Sequence, residues 1–367
     1  MTGAATPPAP PRGPGRTDVA IVGAGILGVL TAREILARAP GTSVTVMDRD
    51  LVGSGATRRS AGLHFPRGAS ATTRELAAES ERFYADLHSA RPELPIHPLG
   101  MSVLAPLASE PALREAYLPE AELRPADALP AQVPALPAGY GLWEGDGCQY
   151  ADVHALTQTL AAELRPAAAF REGVAVTALD PGPDGVRLTL TGGAELTAGH
   201  VVLAPGPWLA EPAWADLVAP LGARVKKIVA LHVEVPPAPG DRAIVFHDED
   251  AFLLPFHHRG HWLFSYTCQE WDVEPAEVDP AVSAAHLDEA LALLGRYAPE
   301  LAAACVSGRV FCDAYGPGNT ALVEPLADGR VVFAGAASGS GYRLAPALAA
   351  RAADLIPTLP RHRKATT

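Results

Sequence analysis

The stretch DVAIVGAGILGVLTAREILARAPGTSVTVMD, residues 18–48, decides the fold. A short apolar strand, Val19-Ala20-Ile21-Val22, runs straight into Gly23-Ala24-Gly25-Ile26-Leu27-Gly28. A helical stretch follows, then a second β-rich run, Ser43 to Met47, ending on Asp48 with Arg49 beside it. Strand, glycine turn, helix, strand and acid in this order describe a dinucleotide-binding unit. Gly23 permits the tight turn, Gly25 lets the backbone approach a pyrophosphate, and Gly28 lets the helix pack on the strand. The amides at the helix start, Ile26 among them, face phosphate charge. Asp48, about twenty residues past Gly28, is placed to accept hydrogen bonds from an adenosine ribose.

The chain of 367 residues is long enough for two domains or one large α/β unit. With 48% hydrophobic and 19% charged residues it has the composition of a globular protein. The net charge of −12 leaves no basic stripe for a nucleic-acid partner. Residues 1–16 are rich in Pro, Gly and Ala without an apolar run, which suits a disordered tail rather than a signal peptide. No apolar run reaches the roughly 18 residues of a membrane span. Cys148, Cys268, Cys305 and Cys312 are scattered without metal spacing, as expected of free thiols in a reducing cytoplasm. His257, His258 and His261 straddle a turn and no cysteine or carboxylate completes a set, so no metal site is expected.

Further along, Leu51 to Phe65 reads as a loop of small residues that nevertheless carries Arg58, Arg59 and His64. Helices are expected over Ala71 to His88, Asp152 to Leu164, Ala284 to Tyr297 and Ala345 to Ile356. Strands are expected within Ile96 to Leu107, over 174–179 and 186–190 around a Pro-Gly-Pro-Asp-Gly turn, and repeatedly between Ala223 and Thr267. Val201 to Gly206 and Val331 to Gly335 are continuous apolar runs ending at a glycine, the pattern of buried parallel strands. The spacing predicts an α/β fold with a discontinuous Rossmann-like nucleotide-binding domain built from 17–95, 148–208 and 309–357. A strand-rich substrate-binding domain, 96–147 and 209–308, is inserted between those pieces.

Three motifs carry a family resemblance: the GAGILG turn with Asp48, the strand VVLAPGPW over 201–208, and GAASGSGYRLAP over 335–346. Together they resemble the D-amino-acid oxidase superfamily of FAD-dependent oxidoreductases, which includes glycine oxidase, sarcosine oxidase and D-amino-acid dehydrogenases. The loop GATRRSAGLH, 55–64, is similar to that of the D-arginine dehydrogenase branch. The resemblance implies FAD lying extended, its adenosine at the first motif and its ring between the domains. Thr57, Arg58, Ser60 and Ala61 would pass over the pyrophosphate and ribityl, and Val174 would meet the adenine. Ala204, Gly206 and Trp208 belong to the second motif. Gly339, Gly341, Tyr342 and Arg343 would face the pyrimidine edge of the flavin, where Arg343 stabilises negative charge.

The reaction so implied is oxidation of a C–N bond in an amino acid or a secondary or cyclic amine. Hydride passes to flavin N5, an imine forms, and O2 reoxidises the flavin to give H2O2. The rival readings are a dehydrogenase using a quinone or protein acceptor and a non-catalytic flavin-binding electron carrier. No nucleic-acid or membrane partner is expected. His64, Tyr266, Tyr315 and Arg343 are the candidate catalytic residues. Where relatives carry a carboxylate-gripping arginine, this chain has Tyr315, so a carboxylate substrate would need Arg343, Arg59 or Tyr266 instead. The strand His261 to Tyr266 lacks the lysine that promotes oxygen reactivity in sarcosine oxidases. The flavin is expected to be non-covalent, a bond to Cys312 being the alternative.

Overall fold

The computed structural model describes residues 15–357 and Leu359. The first half of the chain runs β1 (Arg16–Val22), α1 (Ile26–Arg38), β2 (Val44–Met47), α2 (Ala56–Arg59), β3 (Leu63–His64), α3 (Ala71–Ala90), β4 (Ile96–Pro106) and α4 (Glu110–Ala116). It continues with β5 (Arg124–Pro125), β6 (Tyr140–Ala151), α5 (Val153–Leu164), β7 (Ala168–Arg171), β8 (Val176–Gly182), β9 (Gly185–Leu190) and β10 (Glu195–Leu203). Then come α6 (Ala215–Val218), β11 (Arg224–Val233), β12 (Ala243–Phe246), β13 (Ala251–Phe256), β14 (His261–Tyr266), α7 (Ala284–Tyr297) and α8 (Pro299–Ala303). β15 (Cys305–Tyr315), β16 (Leu322–Leu326), β17 (Val331–Gly335) and α9 (Gly341–Asp354) complete the series.

Two sheets organise these elements. The first has the order β16-β17-β10-β1-β2-β7, with a β8–β9 ribbon joined to β10. Its central pairs are parallel, and Val19, Ile21, Val202 and Val332 are buried in one layer with α1, α5 and α9. Strands covered on both faces are apolar at every position, which is why 201–203 and 331–334 read as unbroken apolar runs. The second sheet has the order β15-β11-β14-β13-β12-β4-β6-β3 and is antiparallel except where β12 meets β4. One face packs against α7 and α8 through Leu294, Tyr297 and Leu301. The other face turns toward the first sheet.

Several expectations shift. For residues 1–14 the expected tail lies outside the described residues, and Arg16 already opens β1. The small-residue loop contains a short helix, α2. Residues 309–315 and 148–151, together with Leu63 and His64, are strands of the second sheet rather than of the nucleotide-binding sheet. The last helix begins at Gly341, four residues earlier than its apolar periodicity suggests. Pro346 inside it cannot donate to the Tyr342 carbonyl, and the Tyr84 hydroxyl donates there instead at 2.8 Å.

The β1–α1 turn closes by backbone contact. A Cβ on Gly28 would lie 1.9 Å from the Gly23 carbonyl oxygen, and one on Gly23 (φ +105°) would lie 2.2 Å from that of Ala204. Gly28→Ala is therefore expected to destabilise the protein by about 3 kcal/mol, overpacking against backbone that cannot move aside. Thermal denaturation checks this, and an unchanged midpoint contradicts it.

Candidate active site

A cavity of about 540 Å³ runs between the two sheets, from Asp48 and Val174 at one end to the start of α9 at the other. At the first end the glycine turn is braced by side chains. The Ala24 amide donates to Asp48 Oδ2 at 2.7 Å, and Oδ1 accepts from the Asp50 amide at 2.9 Å. Burial raises the Asp48 pKa against these hydrogen bonds. The Ile26 amide donates to the Thr57 hydroxyl at 3.0 Å, which ties the small-residue loop to the start of α1. No acidic side chain occupies the first turn of α1, so its positive end is open to an anion. Arg49 stacks 4.3 Å from the Trp208 ring and pairs with Glu211 at 2.6 Å. The Val174 amide is held by the Asp48 carbonyl at 2.9 Å.

Thr57, Ser60, Ala61, Ala204, Gly206 and Trp208 line the cavity alongside Gly23, Gly25, Ile26 and Gly28. Arg58 does not. It borders a shallow recess behind the loop with His258 and Arg259. At the far end Gly339, Gly341, Tyr342 and Arg343 line the wall. Ala336 and Ser338 adopt left-handed backbone there (φ +49° and +52°), unusual for residues with a Cβ. That turn aims the start of α9, which lacks both an acidic first turn and a side-chain cap, into the cavity. Arg343 is fixed by hydrogen bonds of 2.7 Å each to the Arg67 carbonyl and Ser340 Oγ. Tyr342 packs 4.6 Å from Tyr84, and its hydroxyl donates to Gln149 at 3.0 Å.

The second sheet supplies the opposite wall through Ile228, Phe252, Ser265, Phe311, Asp313 and Tyr315. Strand alternation sorts the candidates. Leu63 and Phe65 face the cavity, whereas His64 between them does not. Its ring is fully buried, 5.9 Å from Tyr84 and against the Arg343 backbone. Tyr266 borders the cavity, but its hydroxyl donates to Glu289 on α7 at 2.9 Å. On β15 Asp313 reaches the cavity, while Cys312 packs in the core with Val225, Leu209 and Trp214. The structure thus brings Tyr315 and Arg343 to the cavity, and turns the His64 ring and the Tyr266 hydroxyl elsewhere.

Asp313, Arg67 and Lys226 were missed in the sequence. Burial pushes the Asp313 carboxyl up to about 7. Lys226 on β11 is buried, with Nζ 4.6 Å from the Trp271 ring and 5.4 Å from that of Tyr315. Beside Lys227 and two residues after Arg224 in β11, it carries no local signal that sets it apart.

The cavity suits an extended dinucleotide. Both of its ends are open helix N-termini, and its phosphate end is a glycine turn that side chains would fill. FAD would be held by the β1–α1 turn, Thr57, Ser60 and Ala61, Ala204 to Trp208 and the start of α9.

The buried His64 has a consequence for stability. Burial, with repulsion from Arg343, lowers its pKa from 6.5 to about 3. The unfolded chain protonates this ring near 6.5, so the stability contributed by the neutral ring is complete above that pH. It is lost as pH falls toward about 3, by about 1.4 kcal/mol per pH unit. His64→Leu is expected to show a shallower fall in thermal midpoint between pH 6 and 4 than the parent, as read by calorimetry; parallel curves contradict the assignment.

Among the described residues no helix is long and apolar enough to cross a membrane. The profile of the family described as FAD dependent oxidoreductase (DAO) matches residues 18–355. No curated protein matches the chain in sequence. Solved structures share the fold. Glycine oxidase from Geobacillus kaustophilus has 21% identity and a TM-score of 0.78, over 94% of this chain and 96% of its own. L-proline dehydrogenase from P. horikoshii has 18% identity and a TM-score of 0.80, over 95% and 96%. Iminodiacetate oxidase from Chelativorans sp. BNC1 has 20% identity and a TM-score of 0.75, over 94% and 97%. With the profile spanning nearly the whole chain, this protein belongs to the DAO family of FAD-dependent oxidoreductases.

Proposed function

We propose that the protein oxidises the C–N bond of an amino acid or a secondary or cyclic amine, with O2 as the acceptor. One observation carries this reading: a single cavity joins the phosphate-binding turn of α1 to the start of α9, under an apolar wall from the second sheet. When bound, FAD supplies a two-electron acceptor for a carbon next to nitrogen. The residues of this chain position the substrate and manage its proton. Ile228, Phe252 and Phe311 exclude water and hold the substrate carbon against the opposite wall. Asp313 Oδ, with its carboxyl raised to about 7, accepts a proton from a substrate ammonium near neutral pH and leaves the neutral amine that the oxidation needs. Arg343 and the first amides of α9 stabilise negative charge that develops at their end of the cavity.

The sarcosine oxidases that the chain resembles carry a lysine on the strand matching β14, and here the adjoining β11 supplies Lys226 as a buried cation near Tyr315. That charge supports O2 as acceptor over a quinone or protein partner. Tyr315 closes the same region, its ring 5.1 Å from Trp271 and its hydroxyl kept protonated by burial. Cys312 packs away from the cavity, which supports non-covalent FAD.

Anaerobic mixing with a panel of amino acids and amines is expected to bleach the flavin band with at least one compound. Admitting oxygen should restore the colour and release peroxide in equal amount. Bleaching by no amine contradicts the proposal, and restoration only by an added quinone contradicts O2 as acceptor. In the Asp313→Asn variant the inflection in the bleaching rate near pH 7 should vanish; an unchanged profile removes Asp313 from the proton step. Acid precipitation should leave flavin in the supernatant, whereas a yellow pellet means a covalent bond.

A further inference from the structure

Two charged side chains stand side by side on the second sheet, and only one of them reaches the cavity. Lys226 on β11 is directly opposite Asp313 on β15, so both side chains leave the same face of the sheet. Among the described residues the two form no ion pair with each other, and no hydrogen bond engages the Asp313 carboxyl. Asp313 lines the cavity. Lys226 does not, although Ile228, two residues further along β11, does.

What separates them is aromatic. Trp271 is bridged to Lys226 on the edge of β11 away from β15, and the lysine Nζ lies 4.6 Å from the centre of its ring. Tyr315, two residues past Asp313, is the diagonal neighbour of Lys226, with its ring centre 5.4 Å from the same nitrogen. The two rings meet edge to face at 5.1 Å. A cation held against aromatic faces is stabilised without a counter-ion, so the rings mask the ammonium without neutralising it. Both rings are anchored. Arg224 lies 5.0 Å from the Trp271 ring and pairs with Asp272 at 2.6 Å, and the Asp272 amide donates to the Val225 carbonyl at 2.7 Å. The Tyr315 backbone is bridged to Ala337, and the Ser338 amide donates to the Ala314 carbonyl at 3.0 Å. A Cβ on Gly339 would lie 3.2 Å from the Tyr315 hydroxyl oxygen, so the phenol spans from β15 to the turn before α9.

We infer that Tyr315 determines specificity by exclusion: with Trp271 it partitions Lys226 from the cavity, so that this wall receives the cationic nitrogen of the substrate at Asp313 and turns anionic groups away. This rests on the reading of the cavity as the site of C–N oxidation. The wall then offers a ligand one carboxylate set among the rings of Phe311, Phe252 and Tyr315, surroundings that suit an ammonium and not an anion. It also gives a reason for a tyrosine where relatives carry a carboxylate-gripping arginine: here the side chain at that place hides a cation instead of presenting one. Arg59 does not line the cavity and the Tyr266 hydroxyl is committed to Glu289, so neither restores a positive group to this wall.

The test titrates the holoenzyme with benzoate, with benzamide as its uncharged counterpart, and with tetramethylammonium at pH 8, following the shift of the flavin absorption band. Removing the partition in Tyr315→Ala should tighten benzoate about tenfold or more, the fold-change expected of a newly reachable hydrogen bond to a charged group, and leave benzamide within about twofold. The gain should disappear in Tyr315→Ala/Lys226→Met. Tyr315→Phe, which keeps the ring, should match the parent. Tetramethylammonium should bind the parent and weaken about tenfold in Asp313→Asn. Equal tightening of benzoate and benzamide overturns the inference, since the variant would then only have more room. A gain that survives loss of Lys226, or one that Tyr315→Phe shares, overturns it too. Tetramethylammonium binding that is indifferent to Asp313→Asn removes Asp313 as the cation receptor and overturns that half. A Lys226-dependent gain in a protein whose flavin no amine bleaches would uphold the partition and reject the oxidation reading. If Tyr315→Ala fails to fold, Tyr315→Leu decides the question by the same titrations.

Discussion

Everything in this fold depends on a turn where backbone meets backbone. Gly28 sits on the Gly23 carbonyl, and Gly23 sits on that of Ala204, with no side chain between them. This closeness brings the start of α1 to the edge of the parallel sheet and leaves its amides facing a cavity. Asp48 and Thr57 then brace the turn from neighbouring segments, so the phosphate end is rigid before any ligand arrives.

The opposite end solves the same problem differently. The start of α9 is aimed by left-handed turns at Ala336 and Ser338 and by a proline that breaks the helix ladder. Tyr84 repairs that break from α3, so the positive end of the helix is anchored while its first turn stays open. Arg343 is placed in that first turn, where a cation opposes the helix dipole. Arg67 adds a second positive group to the same wall.

The parallel strands, the glycine turn and the long helices were legible in the sequence because each is encoded within a few neighbouring residues. Apolar runs 201–203 and 331–334 identify doubly covered strands on their own. The site was legible in its cofactor half, where motifs carry it, and less so in its substrate half. There the decisive fact is which of two adjacent residues faces inward: Leu63 rather than His64, and Asp313 rather than Cys312. A two-residue strand such as β3 has no periodicity to read, and on β15 one residue of register separates a cavity carboxylate from a core thiol. Arg67 enters the cavity wall from the loop after β3, where no local pattern announces it.

In the proposed site the cofactor phosphates would lie at α1 and the reactive ring between α9 and the second sheet, within one cavity. A crystal structure of the FAD-loaded protein tests this most directly. The expected result is the pyrophosphate against the amides of Gly25 to Gly28, with the ring edge at Gly341 to Arg343 and one face toward Phe311 and Asp313. FAD bound with its phosphates away from α1, or with its ring outside the space between α9 and β15, would contradict it.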